Sequence, residues 1–129
     1  MKYSLPLLLI TLLLTGCGGQ GAEYVVYKYQ VAYMKQDREE AKKYCTQNFI
    51  DNHLPAEHEM GGLTGGGRPL PAPDDIIPTY DEFSSSLKTS EGRGVARVQI
   101  EQPFCDDVVY VLVHDFDGWK IDSLEWVDE

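Results

Sequence analysis

The chain has 129 residues, of which 43% are hydrophobic, 11% aromatic and 25% charged, and 21 acidic against 11 basic side chains give a formal net charge of −10. That length fits one domain, and the composition excludes collagen-like, coiled-coil and wholly disordered chains. The negative charge argues against a nucleic-acid partner, since polyanions are repelled on average.

Residues 1–16 read as a signal peptide. Met1-Lys2 gives a short positive start, and Leu5 to Leu14 is apolar apart from Pro6 and Thr11. A membrane-spanning helix needs roughly 20 apolar residues, and this run meets Gly16, Gly18 and Gly19 well before that. Leu14-Thr15-Gly16-Cys17 resembles the lipobox of bacterial lipoproteins. The resemblance implies that the leader is cut before Cys17, that the cysteine is diacylated and that its new amino terminus is acylated. Several acyl chains, at about 0.8 kcal/mol per buried methylene, hold a protein stably where one myristoyl chain does not. The expected partner of Cys17 is therefore a membrane of the bacterial cell envelope. Gly18 stands where an acidic residue signals inner-membrane retention in enterobacteria, so an outer-membrane anchor facing the periplasm is expected. Residues 17–21 then form the acylated cysteine and a flexible linker, Gly18-Gly19-Gln20-Gly21, ahead of a single domain over 22–129. Loss of Lys2 with the leader takes the formal charge from −10 to −11.

With Cys17 assigned to lipid, Cys45 and Cys105 remain in an oxidising compartment and are expected to form a disulfide. The alternative is a buried apolar Cys45 and a loop thiol at Cys105. No Cys-x-x-Cys or Cys/His signature suggests a catalytic thiol.

From Ala22 to about Asn52 the chain has neither glycine nor proline and reads as a helix pair. Tyr24, Tyr27, Val31 and Met34 make one apolar face, and Ala41, Tyr44, Cys45 and Phe49 make another. The break is expected at Gln36-Asp37, where Asp37 and Glu40 approximate a capping box. On this register Tyr27 packs on the sheet, Tyr29 lies outside and Cys45 faces the core. Residues 53–75, rich in glycine and proline, read as a long loop, and their glycine run lacks the Gly-Lys-Ser/Thr of a phosphate loop.

Four strands are expected next: a polar one over Asp81 to Ser90, then Gly94 to Gln102, Val108 to His114 and Trp119 to Val127. The alternation of Ala96, Val98 and Ile100 with Arg97, Gln99 and Glu101 marks a sheet with one wet face. Asp115-Phe116-Asp117-Gly118 carries the chemistry of a tight antiparallel turn. The expected class is α+β: an N-terminal helix pair packed on a curved antiparallel sheet of four or more strands.

Tyr33-Met34-Lys35-Gln36-Asp37 at a helix break, with strands ending in Asp117-Gly118-Trp119-Lys120-Ile121-Asp122, resembles the nuclear transport factor two-like, or cystatin-like, cone fold over residues 22–129. The similarity is to bacterial lipoproteins of uncharacterised function that carry this domain. It implies a curved sheet wrapping a helix, with a pocket at the open end. The family holds isomerases, dehydratases and binding modules, and fold alone does not choose among them.

Candidate pocket residues are Tyr27, Tyr33, Asp37 and His114. An isomerase would need a carboxylate or histidine as proton shuttle and a tyrosine to hold an oxyanion. None of these candidates sits in a motif, and Asp37 is more simply a helix cap. His53, Glu57, His58 and Glu59 lack metal-ligand spacing and read as a solvated loop, and Asp115 and Asp117 read as a turn rather than a calcium loop. No cofactor or metal is expected. The favoured function is a non-enzymatic binding or accessory module for a small ligand or an envelope protein. The alternatives are a small-pocket isomerase or dehydratase and an inhibitor or immunity protein against a periplasmic toxin.

Overall fold

The computed structural model describes residues 21–101 and 107–127. The expectations for the leader, Cys17, its linker and Cys105 lie outside these residues.

Helix α1 (Ala22–Met34) is followed by α2 (Arg38–Lys42) and α3 (Gln47–Asn52). The stop after α1 is a Schellman motif: Gln36 N–H donates to the Tyr33 carbonyl at 3.0 Å and Asp37 N–H to that of Ala32 at 2.9 Å. Gln36 takes the left-handed conformation usually left to glycine, with φ of 63°. Its amide offsets the strain by donating to the Met60 carbonyl at 2.9 Å and that of Pro69 at 3.4 Å. Asp37 then opens α2, its carboxylate accepting from Glu40 N–H at 3.1 Å. The expected break thus falls at Gln36-Asp37, but the second expected helix is itself divided. After a turn at residues 43 and 44 the chain bridges the sheet at Cys45, where Ile121 N–H donates to the Tyr44 carbonyl at 2.8 Å and Thr46 N–H to the Ile121 carbonyl at 2.9 Å. Thr46 restarts the helix, its hydroxyl accepting from Phe49 N–H at 3.2 Å.

Residues 53–75 are more ordered than a loop. They contain a hairpin of β1 (Leu63–Gly65) and β2 (Arg68–Leu70), with single 3-10 turns at Glu57–Glu59 and Asp74–Ile76. Three-residue strands, one carrying Pro69, are too short to show alternation in sequence. Gly66 and Gly67, both at positive φ, form the two-residue turn that the strand twist favours. The last carbonyl of α1, Met34, accepts from Gly62 N–H at 3.1 Å and Ala72 N–H at 2.7 Å, stapling this segment to the helix end. At Gly61 a Cβ would meet the Leu70 carbonyl oxygen at 2.5 Å, so only glycine fits.

The polar strand expected from Asp81 is a helix at its start. In α4 (Tyr80–Ser84) the Thr79 hydroxyl accepts from Glu82 N–H at 3.2 Å while the Glu82 carboxylate accepts from Thr79 N–H at 2.9 Å, a reciprocal capping box. The strands β3 (Leu87–Glu91), β4 (Val95–Ile100), β5 (Asp107–Asp115) and β6 (Gly118–Val127) follow. They form one antiparallel sheet in the order β3-β4-β5-β6. Phe116 and Asp117 turn β5 into β6, with Asp117 N–H donating to the Asp115 carboxylate at 2.8 Å. A bulge at Asp122, where Val111 pairs with Ser123 but Leu112 with Ile121, accentuates the curvature of the sheet. Several helices with a curved four-stranded antiparallel sheet make the α+β, cone-like architecture expected above.

Helix α1 lies in the concavity, but on a different face from the one its apolar spacing suggests. Ala22, Val25, Val26, Tyr29 and Ala32 are buried, whereas Tyr27 is only partly so and Tyr29 is 2% exposed. The helix is apolar almost all round, so periodicity does not select a face. Packing selects the one with alanines and valines, which let the backbone approach the sheet. Ala41, Cys45 and Phe49 are buried as expected, and Ala96, Val98, Leu112 and Ile121 complete a core of fully covered side chains. Among the described residues no helix is long and apolar enough to cross a membrane.

Candidate binding pocket

The C-terminal half of α1 does not close fully on the sheet. It leaves a cavity of about 400 Å³, within the range of small-molecule sites. Tyr29, Gln30, Tyr33 and Met34 of α1 form one wall. Ile100 of β4, Val108 and Tyr110 of β5, and Leu124 and Trp126 of β6 form the opposite one. His53 and Pro55, just after α3, and Phe83 of α4 complete the lining. The strand residues all lie on the inner face, because Ile100 pairs with Val108, Tyr110 with Leu124 and Val108 with Trp126.

The polar groups are few and placed by the packing. Gln30 donates its side-chain amide to the Tyr110 hydroxyl at 2.6 Å. The Tyr29 ring meets those of Phe49 and Tyr110 edge-on, at centroid distances of 5.5 and 5.7 Å, a geometry that fixes its hydroxyl. His53 packs on Phe49 with ring centroids 5.4 Å apart. Burial pushes the Tyr29 hydroxyl pKa well up, with added repulsion from Tyr110, Cys45 and Tyr33. Burial likewise raises Tyr110, reinforced by Tyr33 and Cys45, although the Gln30 amide pulls the other way. Both phenols stay protonated donors. Among the described residues the lining holds no aspartate, glutamate, lysine or arginine.

Of the four residues expected at a pocket, Tyr33 lines it and the other three lie elsewhere. Tyr27 turns to α4, donating its hydroxyl to the Pro78 carbonyl at 2.8 Å and packing on Tyr80 and Phe83. Asp37 is exposed and occupied as the cap of α2. His114 is exposed near the β5–β6 turn, edge-on to Trp119 at 5.0 Å. The residues that sequence reasoning missed are Tyr29, Gln30, Tyr110 and Trp126. One signal was present: Tyr110 is the lone polar-tipped residue among the valines and leucine of β5.

The loop residues considered as metal ligands are dispersed. His53 faces the cavity, while Glu57 and His58 line a separate hollow with Gln36 and Arg68, and Glu59 accepts from Ala56 N–H at 3.2 Å. No group of three or more His, Cys, Asp or Glu side chains is arranged to hold a metal among the described residues. Cys45 is a free, buried thiol that donates to the Ala41 carbonyl at 3.3 Å. Burial raises its pKa to about 12, with Lys120 opposing.

Comparison of the chain with family models, curated proteins and solved structures finds no match.

Proposed function

We propose that the chain is a bacterial envelope lipoprotein, anchored through acylated Cys17, whose α+β domain is a non-enzymatic module that binds a small ligand in the cavity beside α1. The observation that carries this reading is the lining: apolar and aromatic walls with a few fixed hydrogen-bonding groups, the composition of a binding site. An isomerase built here would need a carboxylate or histidine in reach of a tyrosine. The sequence's best acid, Asp37, caps a helix outside the cavity, and the one such group on the lining among the described residues is His53, packed against Phe49. The similarity of residues 14–17 to a lipobox supports the anchor. The linker over 18–21 spans at most about 15 Å, which would hold α1 close to the membrane. The resemblance of residues 22–129 to nuclear transport factor two-like lipoproteins, carried by the motifs at 33–37 and 117–122, supports an accessory role.

Two measurements test the two halves. Expression of the full chain in a lipoprotein-processing bacterium should give a product lacking residues 1–16 and carrying acyl mass on Cys17; an unmodified Cys17 overturns the anchor. For the module, Leu124→Trp should fill the cavity and abolish binding of an uncharged apolar fluorescent probe such as 6-propionyl-2-(dimethylamino)naphthalene, with circular dichroism unchanged. Retained probe binding in the folded variant overturns the assignment of the site.

A further inference from the structure

The polar groups of the cavity specify more than a small ligand. Tyr29 is 2% exposed and lines the cavity, yet its hydroxyl makes no hydrogen bond to any described residue. Buried hydroxyls are almost always paired, so an orphan on the wall of a cavity points to what the cavity holds. Tyr110, 6% exposed on the facing strand, accepts at its hydroxyl from the Gln30 amide at 2.6 Å, which leaves its own proton to donate. The electrostatic interaction between the two phenols and their edge-on ring contact at 5.7 Å place them as neighbours. Both tyrosines thus line one cavity, whose other walls are largely apolar, with Phe83, Ile100, Val108 and Leu124, and carry Tyr33 and His53 as further polar groups.

Resting on the binding-module reading, we propose that the ligand is an uncharged, largely apolar molecule bearing one hydrogen-bond acceptor of carbonyl type, which the Tyr29 and Tyr110 hydroxyls grip. The donors call for an acceptor. With neither lysine nor arginine on the lining, a carboxylate would have only the His53 imidazole to offset its burial; with neither aspartate nor glutamate, an ammonium would have no counter-charge at all. A hydrocarbon fits the walls but leaves both donors unmet.

The test uses the full chain as the cell processes it, held in lipid nanodiscs, with tyrosine-ring NMR shifts followed against the measured aqueous concentration of four probes. These are 4-phenyl-2-butanone, n-butylbenzene, 4-phenylbutyrate and 4-phenylbutylamine. The ketone should bind about tenfold more tightly than the hydrocarbon, the factor expected of one net hydrogen bond. The two charged probes should bind more weakly than the ketone. Tyr29→Phe and Tyr110→Phe should each bring the ketone toward the hydrocarbon's affinity and leave the hydrocarbon's own unchanged, which also shows that the cavity survives. If either variant fails to fold, the comparison of probes in the unaltered protein still decides. A hydrocarbon binding as tightly as the ketone, or a charged probe binding tightest, overturns the inference while the binding-module reading stands. Failure of all four probes to bind overturns that reading with it.

Discussion

Two ends of the same layer between helix and sheet are built differently. Near the bulge in β6 the interior is closed. Ala41, Phe49, Leu112 and Ile121 are fully covered, and α3 is fastened to the strand by the Thr46 hydroxyl donating to the Asp122 carboxylate at 2.7 Å and Asn48 to the Asp122 carbonyl at 3.0 Å. Beside the C-terminal half of α1 the same layer holds tyrosines, which stand α1 off from β5 and β6 and leave the cavity. Small and aliphatic side chains interlock to native density, whereas rings held edge-on by one another do not fill the space between them. Stability is concentrated at one end and unfilled space at the other.

The sharpest way to break this contrast is truncation at both ends. Ile121→Ala should cost about 2–5 kcal/mol in urea denaturation, because a fully covered residue leaves a void. Leu124→Ala, one register step away but facing the cavity, should cost less than half as much; equal losses would mean that the cavity is packed as tightly as the core.

Unfastening the closed end comes next. Thr46→Ala removes a helix cap and the bond to Asp122, and should lower stability by about 1–2 kcal/mol. Thr46→Ser, which keeps both hydrogen bonds, should recover most of it.

The boundary between the two ends is readable by pH. Burial raises the Cys45 thiol from about 9 to about 12, so between these values the folded chain keeps a proton that the unfolded chain releases. Stability therefore falls as pH rises past 9, by about 1 kcal/mol at pH 10. Tyr29 and Tyr110, also raised, extend the fall to higher pH. Cys45→Ala should remove the first part, measured by urea midpoints from pH 8 to 11. An identical profile in the variant would mean that residue 45 is not a titrating thiol in the native protein. Labelling denatured, unreduced protein then distinguishes a bridge to Cys105, which blocks both residues, from free thiols, which both label.

The smallest effect belongs to the outer face of the sheet. Arg97 pairs with Glu125 at 2.5 Å, both side chains half exposed, and Arg97→Ala should change stability by less than about 1 kcal/mol. A larger loss would show that the convex face supports the closed end.

How much of this was legible follows from the range of the interactions. The break at Gln36-Asp37 and the β5–β6 turn are set by residues within a few positions of one another, and both are visible in the order of amino acids. The capping box Thr79-Tyr80-Asp81-Glu82 was equally local, and the strand expected at that point passed over it because Asp81 to Ser90 is polar and unpatterned. The division of α2 from α3 was hidden for a different reason. Residues 44–46 leave the helix to pair with Ile121, some 75 positions along the chain.

The cavity belongs to the second kind. A helix carrying Tyr24, Tyr27, Tyr29 and Tyr33 around its circumference gives periodicity no single face to report, and the side toward the sheet was settled by which residues allow close approach. The hydrogen bond from Gln30 to Tyr110 joins residues 80 apart. The sequence by itself determined the α+β class, the helix break and the tight turn, since repeat period, capping and turn chemistry act over a few residues. Only the tertiary structure decided which tyrosines face one another across an unfilled space, because that depends on how a nearly all-round apolar helix docks on strands folded from the far end of the chain.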